Sequence, residues 1–267
     1  MSITSVKIGA IEYLAAEGIE AAHGFTTRFG GVSEGYLASM NIGFSRGDIR
    51  ENVLENYRIL GKVIGFDPNN CVLARQTHTD TVRKVEHAHR GTGIVKPAFP
   101  EPCDALITNE PGMALVVFTA DCTPILFHDP VTGAVGAAHA GWRGTAADIA
   151  GKTVKAMCDA YGCEAKNIRC AIGPNIGQCH FQTDADVPDA MLAALGEAAK
   201  PCIRKSGEKY YVNLKEINAL FLRRAGVEHI EISTDCTACN PDKYWSHRLV
   251  GANRGSQGAV IVRKEEP

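Results

Sequence analysis

The stretch that most constrains the fold runs from residue 118 to 144 and reads FTADCTPILFHDPVTGAVGAAHAGWRG. Two apolar runs flank DPVTG (129–133), whose Asp, Pro and Gly are typical of a tight turn. The pattern therefore predicts an antiparallel β-hairpin. It also raises a question, because this apolar hairpin carries Cys122 near its start and His139 near its end.

The turn also predicts a register for the two strands. Antiparallel pairing around DPVTG makes opposed residue numbers sum to about 262. The predicted pairs are Asp129 with Gly133, Cys122 with Ala140, and His139 with Thr123. Cys122 and His139 are then expected at one end of the hairpin, roughly 5 to 8 Å apart.

A third polar residue joins this pattern in ARQTHTDTV, where His78 lies in a short connection between two predicted strands. Two histidines and one cysteine match a zinc site with three protein ligands and a fourth position for water or substrate. The spacing alone leaves a second interpretation open. A free cysteine is commonly a core residue, and a histidine in a turn needs no metal.

Composition limits the classes of partner. The chain has 267 residues, of which 45% are hydrophobic and 22% charged, and a formal net charge of -2. These values are typical of a globular protein and give no electrostatic reason to expect nucleic acid or a membrane surface. The N-terminus lacks the pattern of a secretory signal, and no run approaches the roughly 18 apolar residues of a membrane span. We expect a cytoplasmic protein with ten reduced cysteines.

Helical and strand patterns alternate irregularly along the chain. Four helices are predicted, over 48–65, 145–162, 184–200 and 213–226, the first with Asp48 and Glu51 as a capping box. Nine strands are predicted, over 71–75, 81–86, 104–108, 113–119, 124–128, 133–139, 168–172, 229–233 and 259–263. Because several strands follow one another without a helix between them, the order favours a mixed or antiparallel sheet packed with helices.

Two further motifs carry chemistry. GWRGT follows the hairpin, and Thr145 and Asp148 are predicted to cap the next helix, with Arg143 beside an anion-binding corner. CTAC (236–239) has the spacing of a zinc half-site or a redox pair, but the sequence offers no second such pair, so an ordinary structural role is favoured.

At these residues the sequence resembles the YfiH family, which includes the vertebrate laccase domain-containing protein and was formerly called multicopper polyphenol oxidase. The segments that carry the resemblance are 23–48, ENYRIL (55–60), QTH (76–78), DALITNEPG (104–112), TADCTPILFHD (119–129), AHAGWRGT (138–145), AIGPNIGQCHF (171–181) and CTACNPDKYWSHR (236–248). The resemblance implies one YfiH-like domain over 1–267. It also implies an α+β fold, an α/β/β/α layered sandwich with mixed sheets of the CNF1/YfiH-like type.

The same resemblance implies a function. His78, Cys122 and His139 would bind zinc, with copper as the other metal, and would serve as the catalytic centre. The implied activity is a purine nucleoside phosphorylase acting on adenosine, inosine, guanosine and methylthioadenosine, with adenosine deaminase as a second activity. The partners are then a nucleoside and phosphate, with no nucleic acid and no membrane, and a monomer is expected.

Polar residues near these motifs are candidates for holding the substrate. Glycines in TTRFGGVS let the backbone approach a ligand closely, and side chains flanking the metal ligands could orient them. The predicted substrate-binding residues are Arg28, Ser33, Asn41, Gln76, Asp121, Arg143 and Arg248. In SHR (246–248), His247 stands where the family often has Arg, which weakens the transfer of roles at that point.

Four other functions compete with this one. A copper polyphenol oxidase needs several His-x-His motifs, and the chain has one, His87-Ala-His89. A metal-free cysteine hydrolase would use Cys122 as nucleophile and His139 as base. A fourth protein ligand to the trio, such as Cys179 or His180, would favour a structural or binding protein that closes its zinc. The family has also been named peptidoglycan editing factor, which implies a nucleotide-linked muropeptide as substrate.

Overall fold

A computed structural model of the chain describes residues 2–264. In this part of the chain the α-helices are α1 (Arg50–Ile64), α2 (Trp142–Ala146), α3 (Ile149–Tyr161), α4 (Asp186–Leu195), α5 (Leu214–Arg224) and α6 (His247–Val250). The strands are β1 (Ile3–Ile8), β2 (Ile11–Ala16), β3 (Ala22–Thr26), β4 (Cys71–Leu73), β5 (Val82–Lys84), β6 (Ala105–Thr108), β7 (Ala114–Thr119), β8 (Thr123–His128), β9 (Val135–Ala140), β10 (Arg169–Ile172), β11 (Gln182–Thr183), β12 (Ile203–Ser206), β13 (Lys209–Val212), β14 (His229–Ile232) and β15 (Gln257–Val262).

Two mixed six-stranded sheets form the centre of the molecule. The first has the strand order β1-β2-β3-β15-β7-β4, and the second has the order β14-β10-β8-β9-β6-β5. A small third sheet has the order β11-β13-β12. The mixed α+β class expected from the strand pattern and from the family resemblance is confirmed.

Successive side chains of the central strands pack alternately into two different core layers. In β7, Leu115 and Val117 pack between the two sheets, whereas Val116 packs under α1. In β8, Leu126 joins the layer between the sheets, and Phe127 joins the layer under α3 and α5. Successive side chains of a strand point to opposite faces, so each central strand is buried on both sides. The result is the predicted order of helix, sheet, sheet and helix.

The first predicted helix is confirmed as α1, although its cap is different. Val53, Tyr57 and Leu60 are buried on one face, and the helix ends at Gly65 in the left-handed conformation with φ 94°. Ile49 occupies the N-cap position without a side-chain hydrogen bond, so the capping box predicted for Asp48 is wrong. The Asp48 carboxylate instead accepts hydrogen bonds from other loop side chains, described below.

The second predicted helix is divided in two. α2 ends at Ala146, and Asp148, with φ 60°, interrupts the helix before α3 begins. The Asp148 carboxylate caps α3 by accepting from Gly151 N–H at 2.9 Å, as the sequence predicts. Thr145 does not cap, because its hydroxyl is buried and accepts from Asn218 Nδ2 at 3.0 Å. The two remaining helix predictions correspond to α4 and α5.

The hairpin is present, but its register differs by one residue from the predicted one. Thr123 pairs with Ala140, and Pro124 pairs with His139. The turn is longer than predicted, because Asp129 N–H bonds to the carbonyl of Ala134 rather than of Gly133. A one-residue shift moves side chains to the other face. Continued past β8, the observed register sets Cys122 opposite Gly141, which places Cys122 and His139 on the same face.

All nine predicted strands are found, with ends that differ by one or two residues. Six strands escaped prediction: β1, β2, β3, β11, β12 and β13. Most of them lie at sheet edges or in the small sheet, where alternation is weak; β1, for example, buries none of its residues fully. No helix within residues 2–264 combines the length and apolarity that crossing a bilayer requires.

Candidate metal centre and its pocket

Three potential metal ligands meet beside one end of the hairpin. Cys122 precedes β8, His139 lies in β9, and His78 lies in the connection between β4 and β5. One ligand atom from each of the three lies within 4.8 Å of the others, and Cys122 Sγ is 3.8 Å from His78 Nε2. The two imidazole rings meet edge to face, with their centroids 5.0 Å apart. The arrangement is compact enough for a single ion to contact all three side chains.

Asp104 organises this group from behind. Its fully buried carboxylate lies 2.7 Å from His139 Nδ1 and accepts the backbone N–H groups of Thr77, His78 and Thr79 at 2.8 to 3.1 Å. It also accepts the Thr79 hydroxyl at 2.8 Å. A carboxylate on Nδ1 fixes the tautomer of a histidine and leaves Nε2 as the available ligand atom. One side chain therefore orients His139 and shapes the loop that carries His78.

Sequence reasoning missed the role of Asp104. The residue stands directly before the apolar strand β6, and the strand predicted over 104–108 includes it. The available signal was a carboxylate next to a fully buried strand. A buried carboxylate requires partners, so such a position predicts an organised polar site nearby.

The three side chains strongly perturb one another's protonation. Burial opposes ionisation of the Cys122 thiol, but the neighbouring His139 and His78 outweigh it and lower its pKa to about 6. Burial likewise lowers the pKa of His139, but the Cys122 thiolate and Asp104 outweigh it and raise that pKa to about 9. The pKa of Asp104 is lowered to about 2, because hydrogen bonds and the charge of His139 outweigh its burial. Cys122 is thus a thiolate at neutral pH, the form that binds metals.

The backbone around the group is constrained. His78 has φ 63° and Asp121, directly before Cys122, has φ 85°. Non-glycine residues in this region are strained, and such residues concentrate at functional sites. Gly141 is required for a different reason, because a Cβ there would lie 2.6 Å from His78 Cδ2 and 3.5 Å from Cys122 Sγ. The missing side chain of Gly141 makes room for the His78 ring.

A pocket of about 380 Å³ opens onto the three residues. This volume falls within the range of small-molecule sites, which is about 300–1,000 Å³. Gln76, predicted as a substrate-binding residue, lines this pocket, and its amide is held at both ends by the backbone of Phe118, at 2.7 and 2.6 Å. The loop 91–103 contributes Gly93 and Ala98 to the wall.

Arginines that the sequence did not single out line the same pocket. Arg75 lines the wall, and its guanidinium donates to the carbonyl oxygens of Phe99 and Pro100. Arg46 and Arg254 are both half-buried. Burial lowers the pKa of Arg254 to about 10, and the nearby positive charge of Arg46 adds to that shift. Two cations that repel each other beside a cavity make it attractive to an anion.

The substrate-binding residues predicted in and near the glycine-rich segment TTRFGGVS (26–33) bind other groups of the protein. The Arg28 guanidinium donates to the carbonyl oxygens of Ala38 and Pro241 at 2.9 to 3.1 Å. Ser33 and Asn41 are buried, and each donates to the Asp48 carboxylate at 2.7 Å. Asn41 Oδ1 also accepts the N–H groups of Gly43 and Ser256, so it fixes the loop that borders the pocket. The structure does not bring Arg28, Ser33 or Asn41 to the pocket lining.

Three other predicted substrate-binding residues also lie outside this lining. Asp121 is buried and accepts the hydroxyls of Thr237 and Ser246, together with the backbone N–H of Arg248. The Arg248 guanidinium donates to carbonyl oxygens of residues 180 and 182. Arg143 is exposed and stacks on Trp142 at 4.2 Å.

Cys179 and His180 do not complete the group of three. They lie instead with Cys236 and Cys239 in a separate cluster, in which the four ligand atoms are within 4.8 Å of one another. The trio is therefore left with three protein ligands among the described residues. The two cysteines of CTAC therefore lie beside two further potential metal ligands, which come from the adjacent residues Cys179 and His180 and not from a second Cys-x-x-Cys pair.

Comparison with known proteins places this architecture in a family. The family described as multi-copper polyphenol oxidoreductase laccase matches residues 22–264. Purine nucleoside phosphorylase YlmD of Geobacillus stearothermophilus is 40% identical over 250 residues, covering 92% of this chain and 91% of that protein. Adenosine deaminase RL5, from an unknown prokaryotic organism, is 32% identical over 254 residues, covering 93% and 97% of the two chains.

A solved structure agrees with these sequence matches. The crystal structure of Bacillus licheniformis hypothetical protein YfiH superimposes with a TM-score of 0.91 at 33% identity, covering 97% of this chain and 98% of that one. The resemblance to YfiH proteins is thereby confirmed. This chain belongs to the multi-copper polyphenol oxidoreductase laccase family, the family of YfiH and YlmD.

Proposed function

We propose that this protein is a zinc-dependent purine nucleoside phosphorylase. The observation that carries the proposal is the pocket, which joins three metal-ligating side chains to a pair of arginines in one cavity of nucleoside size. Relatives named purine nucleoside phosphorylase support it. A trio with one open coordination position suits catalysis, because a structural zinc is normally closed by four protein ligands.

His78, Cys122 and His139 would hold the metal. A thiolate and two imidazoles are a ligand set that zinc accepts readily, and the hydrogen bond from His139 Nδ1 to Asp104 presents the other ring nitrogen. When bound, zinc supplies Lewis-acid chemistry that polarises an oxygen of phosphate, water or substrate. Because the Asp104 carboxylate holds the Nδ1 side of the His139 ring, the imidazole does not need to rearrange when substrate arrives.

Arg46 and Arg254 would bind the phosphate. Guanidinium groups hold phosphate oxygens by charge-assisted hydrogen bonds, and the close approach of the two cations is relieved when an anion lies between them. In phosphorolysis a phosphate oxygen bonds to C1′ of the ribose as the C1′–N9 bond breaks. The products are ribose 1-phosphate and the free base, which takes up a proton.

The remaining walls would receive the nucleoside. Phe44, Leu73 and Phe118 give apolar surface suited to a purine, and Gln76 lines the same cavity. We propose adenosine, inosine, guanosine and methylthioadenosine as substrates. Adenosine deamination, in which water adds at C6 and ammonia leaves, is a second activity supported by the relative named adenosine deaminase.

The test supplies adenosine and inosine with and without phosphate and separates the products. Free base that forms only with phosphate supports phosphorolysis, and inosine formed from adenosine supports deamination. If the zinc-loaded protein forms neither free base nor inosine, the proposal is refuted. A Cys122→Ala variant that retains both activities would refute the assignment of the site.

A metal-free cysteine hydrolase is the second candidate, because the Cys122 thiolate beside His139 resembles an activated nucleophile. Metal separates the two mechanisms. Protein stripped by a chelator should lose nucleoside turnover and regain it with added zinc. Full activity after stripping would favour the cysteine mechanism, since a bound metal would occupy the thiolate.

A further inference from the structure

A second cluster of ligating side chains lies on two loops, apart from the pocket lining. Cys179 and His180 belong to the loop after β10, and Cys236 and Cys239 belong to the segment after β14. Their ligand atoms all lie within 4.8 Å of one another. The two loops are also joined by a short backbone bridge between Asn175 and Cys236.

The distances match the edges of a metal-centred tetrahedron. Zn–S bonds of about 2.3 Å and Zn–N bonds of about 2.0 Å give ligand-to-ligand edges of roughly 3.5 to 3.8 Å. Here Cys179 Sγ is 3.5 Å from Cys239 Sγ, and His180 Nδ1 is 3.3, 3.4 and 3.8 Å from the sulfurs of Cys179, Cys239 and Cys236. The sulfurs are too far apart for a disulfide, which requires about 2.05 Å.

The surroundings are suited to negative sulfur. Gly177 N–H donates to Cys236 Sγ at 3.1 Å, and a Cβ on Gly177 would lie 3.0 Å from Cys236 Cβ and 3.2 Å from Cys179 Sγ. The Lys215 ammonium is buried behind the segment and donates to the carbonyl oxygens of Ser233 and Asp235, directly before Cys236. Three thiolates around a divalent ion leave one net negative charge, and a buried lysine nearby compensates it.

We propose that Cys179, His180, Cys236 and Cys239 form a second, structural metal site that binds zinc through four protein ligands. A Cys₃His set is a known composition of closed zinc sites and leaves no position for substrate. The site therefore differs in purpose from the trio in the pocket. It joins two loops that are separated by more than fifty residues in sequence.

The joined loops in turn hold the backbone next to Cys122. Thr237, between the two cysteines of CTAC, donates to Asp121 Oδ1 at 2.6 Å. Ile176 N–H donates to the Asp121 carbonyl at 2.9 Å. Because Asp121 precedes Cys122, the four-ligand site anchors the strained residue that begins the hairpin.

The test measures metal content of the full-length protein by mass spectrometry after purification and zinc saturation under reducing conditions. We expect two zinc ions per chain. Cys239→Ser and Cys236→Ser should each lower this to one, and Cys122→Ala should also lower it to one by emptying the other site. Cobalt substituted into Cys122→Ala should give the thiolate charge-transfer bands of a tetrahedral sulfur-rich site.

Controls separate loss of the ion from loss of the fold. Cys158→Ser alters a half-buried cysteine of α3 outside both clusters and should retain two zinc ions. Cys239→Ser should also lower the thermal unfolding midpoint by roughly 5 °C or more. If this variant does not fold, the number of zinc ions per wild-type chain still tests the proposal.

Three outcomes would overturn the proposal. They are one zinc ion per wild-type chain that is lost in Cys122→Ala, two zinc ions retained in both CTAC variants, and a Cys179–Cys239 disulfide in the reduced, zinc-treated protein. None of these outcomes bears on phosphorolysis, which the product assay tests separately. Conversely, loss of nucleoside activity in Cys122→Ala with one zinc retained would leave this proposal intact.

Discussion

The two clusters of metal-ligating residues differ in how many side chains they offer and in what lies beyond them. His78, Cys122 and His139 offer three ligands and face a cavity of about 380 Å³. The cluster around CTAC offers four ligands that span two loops. Ligand number decides the role of each cluster, because three ligands leave a position for chemistry and four complete the tetrahedron.

The clusters also differ in how the protein supports them. A buried carboxylate, Asp104, orders the trio by accepting from His139 and from the loop of His78. The CTAC cluster has a backbone N–H from Gly177 and a buried cation, Lys215, beside it. A carboxylate partner orients an imidazole ligand, whereas hydrogen-bond donors and a positive charge stabilise several thiolates that lie close together.

Removing a ligand of the trio should have the largest effect on catalysis. We expect His139→Ala to lower kcat/KM for inosine phosphorolysis by at least about 1,000-fold, because metal polarisation contributes several kcal/mol to transition-state stabilisation. One zinc ion per chain should remain. Turnover within tenfold of wild type would break the distinction between the clusters, since the trio would then not be the active one.

Weakening the support of the trio should have a smaller effect. Asp104→Asn keeps the shape of the side chain but removes the charge that holds His139, so zinc affinity of the trio should fall roughly 10- to 100-fold. Competition with a chromophoric chelator measures this affinity. The matched control is Asp80→Asn, which removes a carboxylate of the same connection that pairs with Lys152. An equal loss in both variants would contradict a specific role for Asp104.

The anion-binding pair should affect phosphate and leave the metal in place. Arg254→Gln removes one charged donor from the pocket, so KM for phosphate should rise by about tenfold or more, with zinc content unchanged. Initial rates at varied phosphate give the value. Arg58→Gln, on the exposed face of α1, should leave KM as in wild type. An unchanged KM in Arg254→Gln would place the phosphate elsewhere.

The contact between the two clusters should have the smallest effect. Thr237→Val removes the hydroxyl that donates to Asp121 and should cost about 1 kcal/mol of unfolding free energy. Thermal unfolding should show a shift of a few degrees, with two zinc ions still bound. Thr4→Val, on the exposed strand β1, is the control. A loss of zinc in Thr237→Val would show that the two clusters are coupled.

The sequence predicts the nine strands and a mixed sheet packed with helices, because buried strands have continuous apolar runs and the helices have a clear 3.6-residue period. The layered sandwich is implied by the family resemblance and not by these patterns. It predicts that Cys122 and His139 share one hairpin end. It does not predict the register, because Asp129 bonds to Ala134 and lengthens the turn by one residue. Turn geometry sets register, and the composition DPVTG is compatible with both lengths.

The rest of the site depends on contacts between distant parts of the chain. Asp104 meets His139 across 35 positions, and Cys179 meets Cys239 across 60. Arg46 and Arg254 come from opposite ends of the chain to one pocket. No local period marks such pairs, so residue type alone could not distinguish them. Arg28 illustrates the converse, because a guanidinium in a glycine-rich loop suggested a ligand but binds carbonyl oxygens of the protein.

The Asp104 carboxylate limits how this site could be transferred to another protein scaffold. Because it binds His139 and three consecutive backbone N–H groups at once, the loop geometry and the aim of the imidazole cannot be set independently. Copying only the three ligands into another scaffold would reproduce the parts without their alignment. The smallest transferable unit is the hairpin, the 77–79 turn and Asp104 together, with glycine kept at position 141.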